Sequence, residues 1–259
     1  MFSLRSIPVS RLLFSQLSMG NKVLKPMGIS EPHFVLQTSL NPDDIPKGFE
    51  HCVFATGCFW GAEKGFWRMP GMYVTAVGYA GGTDANPTYN QVCSGSTGHT
   101  EAVMTVWDPS QLSFVDVMRQ FLQCHDPSQV NGQGNDRGSQ YRGAFYYVDE
   151  VQHRIGTAAI EEYEKLIGKK IATEVKPLDH FHFAEQYHQQ YLSRPGARPY
   201  CSASPLGINL TPFESWGPAD LIDKFQPKLG EDYWAKHAPS PHCVLREPHE
   251  QIKWRLNSL

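Results

Sequence analysis

Cysteine is scarce in this chain and scattered along it. Six cysteines in 259 residues (Cys52, Cys58, Cys93, Cys124, Cys201 and Cys243) are too few for a disulfide-built fold. No two of them form a Cys-x-x-Cys pair, so zinc ribbons and dithiol redox motifs lack their basic unit. Net charge is also small. Twenty-three Lys and Arg against 26 Asp and Glu leave −3, without the basic footprint of a nucleic-acid binder. No apolar run reaches the roughly 18 residues that cross a bilayer, so no membrane span is expected. No internal repeat is visible. What remains is 41% hydrophobic, enough for one packed core with reduced thiols. The question is which thiol reacts.

Residues 1–30 carry Arg5, Arg11, Lys22 and Lys25, several serines and no acid before Glu31. This composition suits a mitochondrial or plastid transit peptide; an ordinary tail on a cytoplasmic protein is the alternative. Residues 31–48, with Pro32, Pro42 and Pro46, read as an irregular lead-in. Cys52–Thr56 reads as a buried strand, and Gly57 breaks it before a helix that starts near Cys58 and ends at Pro70. Strands follow at Met72–Tyr79 and Glu101–Trp107. Phe114, Val117, Met118, Phe121 and Leu122 form one apolar helical face behind a Ser113 cap. Tyr141–Val148 reads as a strand, Asp149 to Gly168 as a capped helix, Ile171–Lys176 as a short strand and Glu185–Leu192 as a helix. Beyond Arg194 the chain turns proline-rich. Two long polar loops, Gly81–His99 and Gln129–Gln140, stand out, because such loops inside a compact domain are usually functional or disordered. The order suggests α+β layers.

Cys58 follows a glycine at the expected strand-to-helix turn. A helix start offers unpaired N–H groups and positive potential, which favour the thiolate over the thiol. Phe59 and Trp60 put two large aromatics beside it, which suits a small, weakly polar thioether derivative. Taken alone, Cys58 could equally be a small buried hydrophobe.

The run Gly57-Cys58-Phe59-Trp60-Gly61-Ala62-Glu63 resembles the signature of the peptide methionine sulfoxide reductase A family. Further blocks follow in the family's order: Gly78-Tyr79-Ala80-Gly81-Gly82, Asn86-Pro87-Thr88-Tyr89, Thr97-Gly98-His99, Glu101, His125-Asp126-Pro127, Gln133-Gly134-Asn135-Asp136, Gln140-Tyr141-Arg142 and Ala184-Glu185-Gln186-Tyr187-His188-Gln189. The resemblance spans residues 50–201. Several ordered blocks are more specific than any short motif. It implies a ferredoxin-like two-layer α+β sandwich with long Gly-rich loops: a catalytic domain at 49–205 and an irregular extension at 206–259. It makes Cys58 the nucleophile, which becomes a sulfenic acid as methionine leaves. Glu101 becomes the proton donor, held protonated by burial. Tyr89 and Tyr141 become donors to the sulfoxide oxygen, Phe59 and Trp60 the cage for the methyl group, and Asp136 a support from the second loop. The implied substrates are protein-bound and free methionine S-sulfoxide, the implied reductant is thioredoxin, and no cofactor or metal is needed. A monomer is expected.

The resemblance thins after Cys201. Pro199-Tyr200-Cys201 looks like the family's first recycling position, but no second cysteine follows nearby, and Cys243 is the only other candidate. Thr100, Gly132 and Gly143 also depart from the family's usual residues. Cys52, Cys93 and Cys124 read as structural. Three rival readings are a di-iron protein built on Glu150/His153 and Glu185/His188, a module that binds oxidised methionine without turnover, and a cysteine peroxidase. The first lacks four long helices, so Glu185 and His188 are expected to fix the helix that carries the tail. The second has no use for a thiol at a helix start beside an acid. The third is decided by a peroxide turnover assay.

Overall fold

Alternate residues of Cys52–Ala55 go to opposite sides, and neither side meets water. Cys52 and Phe54 enter one apolar core, while Val53 and Ala55 enter another. A strand buried on both faces reads as one continuous apolar run, which is how this segment looks in sequence. The computed structural model describes residues 28–254, and of Cys243 it describes the backbone alone. The candidate targeting segment therefore lies outside the described residues except at its end.

The elements in chain order are β1 (Glu50–Thr56), α1 (Phe59–Trp67), β2 (Met72–Ala80), α2 (Tyr89–Cys93), β3 (Thr100–Trp107), α3 (Phe114–Gln123), the hairpin of β4 (Gly132–Gln133) and β5 (Asp136–Arg137), β6 (Gly143–Tyr147), α4 (Glu150–Ile167), β7 (Glu174–Pro177), β8 (Phe181–Phe183), α5 (Glu231–His237) and α6 (Cys243–Arg246). Six strands form one mixed sheet in the order β7-β6-β1-β3-β2-β8. All neighbours are antiparallel except the β6/β7 pair. This is the α+β architecture expected.

α1, α3 and α4 cover the first face. Phe54 at its centre stacks against Phe66 of α1, Phe121 of α3 and Phe145 of β6. α3 opens with a capping box between Ser113 and Asp116, and α4 ends on Gly168 in the left-handed conformation, so the punctuation legible in sequence is used. The second face is covered by the lead-in: Leu40 lies in that core with Leu178 and Phe181, and Ile45 packs on it. His33 of the lead-in is fully buried.

Three local expectations change. The loop Gly81–His99 contains α2, nucleated by a reciprocal capping box between Thr88 and Gln91. The strand expected from Ile171 begins at Glu174, and β8 adds an edge strand that the sequence pattern did not mark. The helix expected over Glu185–Leu192 is instead two 3-10 turns, Gln186–His188 and Tyr191–Ser193. Gln190 between them sits at φ 50°, because its backbone N–H donates to Glu63 at 2.8 Å and its side-chain amide to the same carboxylate at 2.6 Å.

The segment after residue 205 is mostly irregular and packs back on the first-face helices. Leu210, Phe213, Leu229, Tyr233 and Trp234 belong to the same core as Phe54. Asp116 of α3 accepts from the N–H groups of Lys228 and Leu229, and Arg119 pairs with Glu231. The end of the described chain crosses α1: Lys64 donates to the Glu247 carbonyl at 2.8 Å, and the Trp67 indole to the His249 carbonyl at 2.7 Å.

Candidate active site

Gly57 makes the turn that delivers Cys58. It adopts φ +92°, and a Cβ there would lie 2.5 Å from Cβ of Gln133. Only glycine allows β1 to pass so close to the second polar loop and swing into α1. Cys58 is then the N-cap of α1.

The next residue brings in the acid. The Phe59 N–H donates to Oε2 of Glu101 at 3.0 Å. Glu101 is buried on β3, and burial pushes its pKa up to about 8, the Phe59 amide opposing and Asp136 assisting. A carboxyl in this state carries its proton at neutral pH. The thiol departs from the expectation of an activated thiolate. Burial, and next the charge of Glu101, push the Cys58 pKa well up, while the Trp60 amide offsets only part of this. The helix start is present, but desolvation outweighs it.

The aromatic residues form a wall around a histidine that carried a different expectation. The Trp60 indole N–H donates to Nδ1 of His188 at 3.2 Å. Its ring stacks on Tyr191 with centroids 4.0 Å apart, and Tyr200 meets it edge-on. The His188 ring lies 4.4 Å from Tyr89 and 5.2 Å from Phe59, centroid to centroid. Burial lowers its pKa to about 4, so the ring is neutral and Nδ1 can accept. Glu185 accepts from the Tyr79 hydroxyl at 2.7 Å and the Tyr89 N–H at 3.0 Å. Glu185 and His188 thus brace the aromatic wall rather than a tail-bearing helix. Glu150 and His153 lie on α4, a different element. Among the described residues no group of three His, Cys, Asp or Glu side chains is arranged to hold a metal ion.

Tyr89 opens α2, and Cys93 closes it. Tyr141 closes a 3-10 turn at Ser139–Tyr141. Burial, and then the nearby Glu101 carboxylate, push both phenols up, so each hydroxyl stays a donor. Asp136 is engaged on both oxygens, by the hydroxyls of Tyr200 and Ser202. These residues flank Cys201, whose Sγ lies against Gly61. Cys201, Gly61, His242 and Val244 all line one small cavity of about 30 Å³. Cys243 begins α6 between the last two; its side chain lies outside the described structure.

Cys58, Phe59, Trp60, Tyr89, Glu101, Asp136, Tyr141 and Cys201 therefore come from six separate stretches of chain to one place. The sequence reading missed the supports. Glu63 of α1 is fully buried and accepts from Gln190 and from the Thr75 hydroxyl at 3.1 Å. Burial holds its pKa near 7. Thr75 is in turn bonded to Nε2 of His33 at 3.0 Å. Gln190 leads directly into Tyr191, the residue stacked on Trp60. The sequence signals for this chain of contacts were Glu63 at the end of the Gly57–Glu63 run and the block around His188.

The family model for peptide methionine sulfoxide reductase matches residues 50–211. The peptide methionine sulfoxide reductase MsrA of Azorhizobium caulinodans is 47% identical over 182 residues, 68% of this chain and 82% of that protein. The one of Ectopseudomonas mendocina is 43% identical over 193 residues, 73% of this chain and 87% of the relative. Among solved structures, methionine sulfoxide reductase A of Corynebacterium diphtheriae superposes with a TM-score of 0.63 at 36% identity, covering 74% of this chain and 97% of that one.

Proposed function

This chain belongs to the peptide methionine sulfoxide reductase family and reduces methionine sulfoxide, and on that premise we propose how its own residues carry the reaction. Cys58 attacks the sulfoxide sulfur. The sulfoxide oxygen is transferred to Cys58 as a sulfenic acid, and methionine leaves. Glu101 supplies the proton that the oxygen takes up and is reprotonated by the one the Cys58 thiol releases as it attacks, and the Tyr89 and Tyr141 hydroxyls bond that oxygen as its negative charge grows. Phe59 and Trp60 hold the methyl group. The observation that carries this reading is the Phe59 N–H bond to Glu101: it sets a protonated acid one residue from the nucleophile.

The substrate is the S epimer, protein-bound or free, since each reductase type serves one epimer. The Cys201 thiol then attacks the sulfenic sulfur, forming a disulfide with loss of water, and thioredoxin reduces that disulfide. Cys243 serves as a second recycling thiol that moves the disulfide outward. Residues 1–30 direct the protein to an organelle, which a fluorescent-protein fusion of that segment tests. The central test is a Cys201→Ser variant given excess sulfoxide and thioredoxin. It should release about one methionine per enzyme and stall; steady turnover at the wild-type rate refutes the resolving role.

A further inference from the structure

Gly61 lies three positions after Cys58, on the same side of the first turn of α1. A Cβ placed on it would stand 2.7 Å from Sγ of Cys201 and 3.4 Å from its Cβ. The Cys201 thiol thus fills the space that any other side chain at position 61 would take. The segment bearing the thiol is gripped from its other side. Asp136 accepts the Tyr200 hydroxyl on Oδ1 and the Ser202 hydroxyl on Oδ2. Two residues on, the Ser204 N–H donates to Oε1 of Gln133 at 3.1 Å. Asp136 and Gln133 belong to the second polar loop, and Gln133 is the residue against which Gly57 turns. One loop therefore fixes both the turn that carries Cys58 and the segment that carries Cys201.

We infer that Gly61 and this clamp are positioning residues for the resolving step. Glycine leaves a seat for the Cys201 thiol on the first turn of α1, and Asp136, through Ser202 and Tyr200, keeps the thiol in it. The inference rests on Cys201 being the resolver. In the step itself the Cys201 sulfur bonds the Cys58 sulfur as the S–OH bond breaks. The departing oxygen takes the Cys201 proton and leaves as water, so no outside oxidant or reductant enters. A disulfide needs Cα atoms within about 7 Å, and the seat keeps Cys201 beside the turn that begins at Cys58. An alanine methyl at 61 must push the sulfur out by about 1 Å to reach ordinary contact, and a misplacement of that size can cost a positioned reaction about 100-fold.

The test is a single-turnover experiment on the full chain without external reductant. Methionine release reads the first step. Loss of the second titratable thiol reads disulfide formation, the first being consumed as Cys58 becomes the sulfenic acid, and dimedone labelling reads accumulated sulfenic acid. Gly61→Ala should release methionine within about twofold of the wild-type rate but form the disulfide at least about tenfold more slowly, with Cys58 sulfenic acid building up. Ser202→Ala, which removes one donor from Asp136, should show the same split at about fivefold or more. Disulfide formation at the wild-type rate in both variants overturns the inference, and so does equal slowing of both steps in both. Should Gly61→Ala fail to fold by circular dichroism, Ser202→Ala alone decides. Cys201→Ser, run in parallel, separates the two layers. If it turns over steadily with thioredoxin, the resolver assignment fails. If it stalls while Gly61→Ala and Ser202→Ala resolve normally, only the seat fails.

Discussion

Replacing Glu101 by Gln should move two properties of the site in opposite directions. The carboxyl is held at a pKa of about 8 by burial, so at pH 7 it is protonated by about ten to one. Almost the whole population can act as acid, and the glutamine variant should forfeit nearly all of that contribution. General acids supply about 10²–10⁴-fold, so methionine release in a single turnover should fall by about 100-fold or more. Above about pH 8, where Glu101 ionises, its carboxylate is, after burial, the main influence pushing the Cys58 thiol up. A neutral amide removes that charge, so the thiol should ionise at lower pH than in the wild type. Alkylation by iodoacetamide should therefore become easier above about pH 8, while sulfoxide reduction becomes harder. The Phe59 N–H keeps an acceptor in the glutamine oxygen, so the turn is not left with a bare donor. A variant that loses alkylation and reduction together would show that Glu101 acts through the nucleophile and not as the acid. An unchanged reduction rate would remove it from the chemistry.

Trp60→Phe keeps an aromatic face but loses the indole donor to His188; KM should rise by about 3–10-fold with a smaller change in kcat, read from steady-state kinetics on a sulfoxide substrate. Glu63→Gln tests the buried carboxylate. Its pKa rises from 4.5 unfolded to about 7 folded, so between those values the folded state binds more protons and its stability falls as pH rises. The glutamine variant should lack this loss and gain on the wild type by roughly 3 kcal/mol from pH 4 to pH 8, read from urea midpoints; parallel curves would refute the charge assignment. Glu63→Ala leaves Gln190 and Thr75 without their acceptor and should lower stability at every pH by about 2–5 kcal/mol.

Much of this was legible beforehand because it is local. Cys58 at a strand-to-helix turn, the Ser113 cap and the Gly168 stop are written in neighbouring residues, and the ordered blocks gave the family. The misjudged parts are set by distant partners. Gln190 breaks a helix that its own neighbours favour, because a carboxylate 127 positions earlier takes its N–H. The thiol is pushed up because α1 begins inside the protein, where desolvation outweighs a helix start that would favour ionisation at a surface. His33 looked like part of an irregular lead-in because no local pattern reports that its ring reaches Thr75 and, through it, Glu63.

The two-sided burial of β1 has a consequence for the newborn chain. Cys58 leaves the ribosome long before its surroundings do. The strand that leads to it is completed only when β6 pairs with it, and the clamp over α1 waits for Ser202. Those residues follow Cys58 by some 85 to 144 positions, so at translation speeds of about 5–20 residues per second the thiol stays unsheltered for roughly 4–30 s. During that interval it has an ordinary exposed thiol's acidity and none of the protection of the finished site. An oxidant burst should therefore damage chains under synthesis more readily than finished ones, and pulse-labelled protein should carry more overoxidised Cys58 than protein made before the burst.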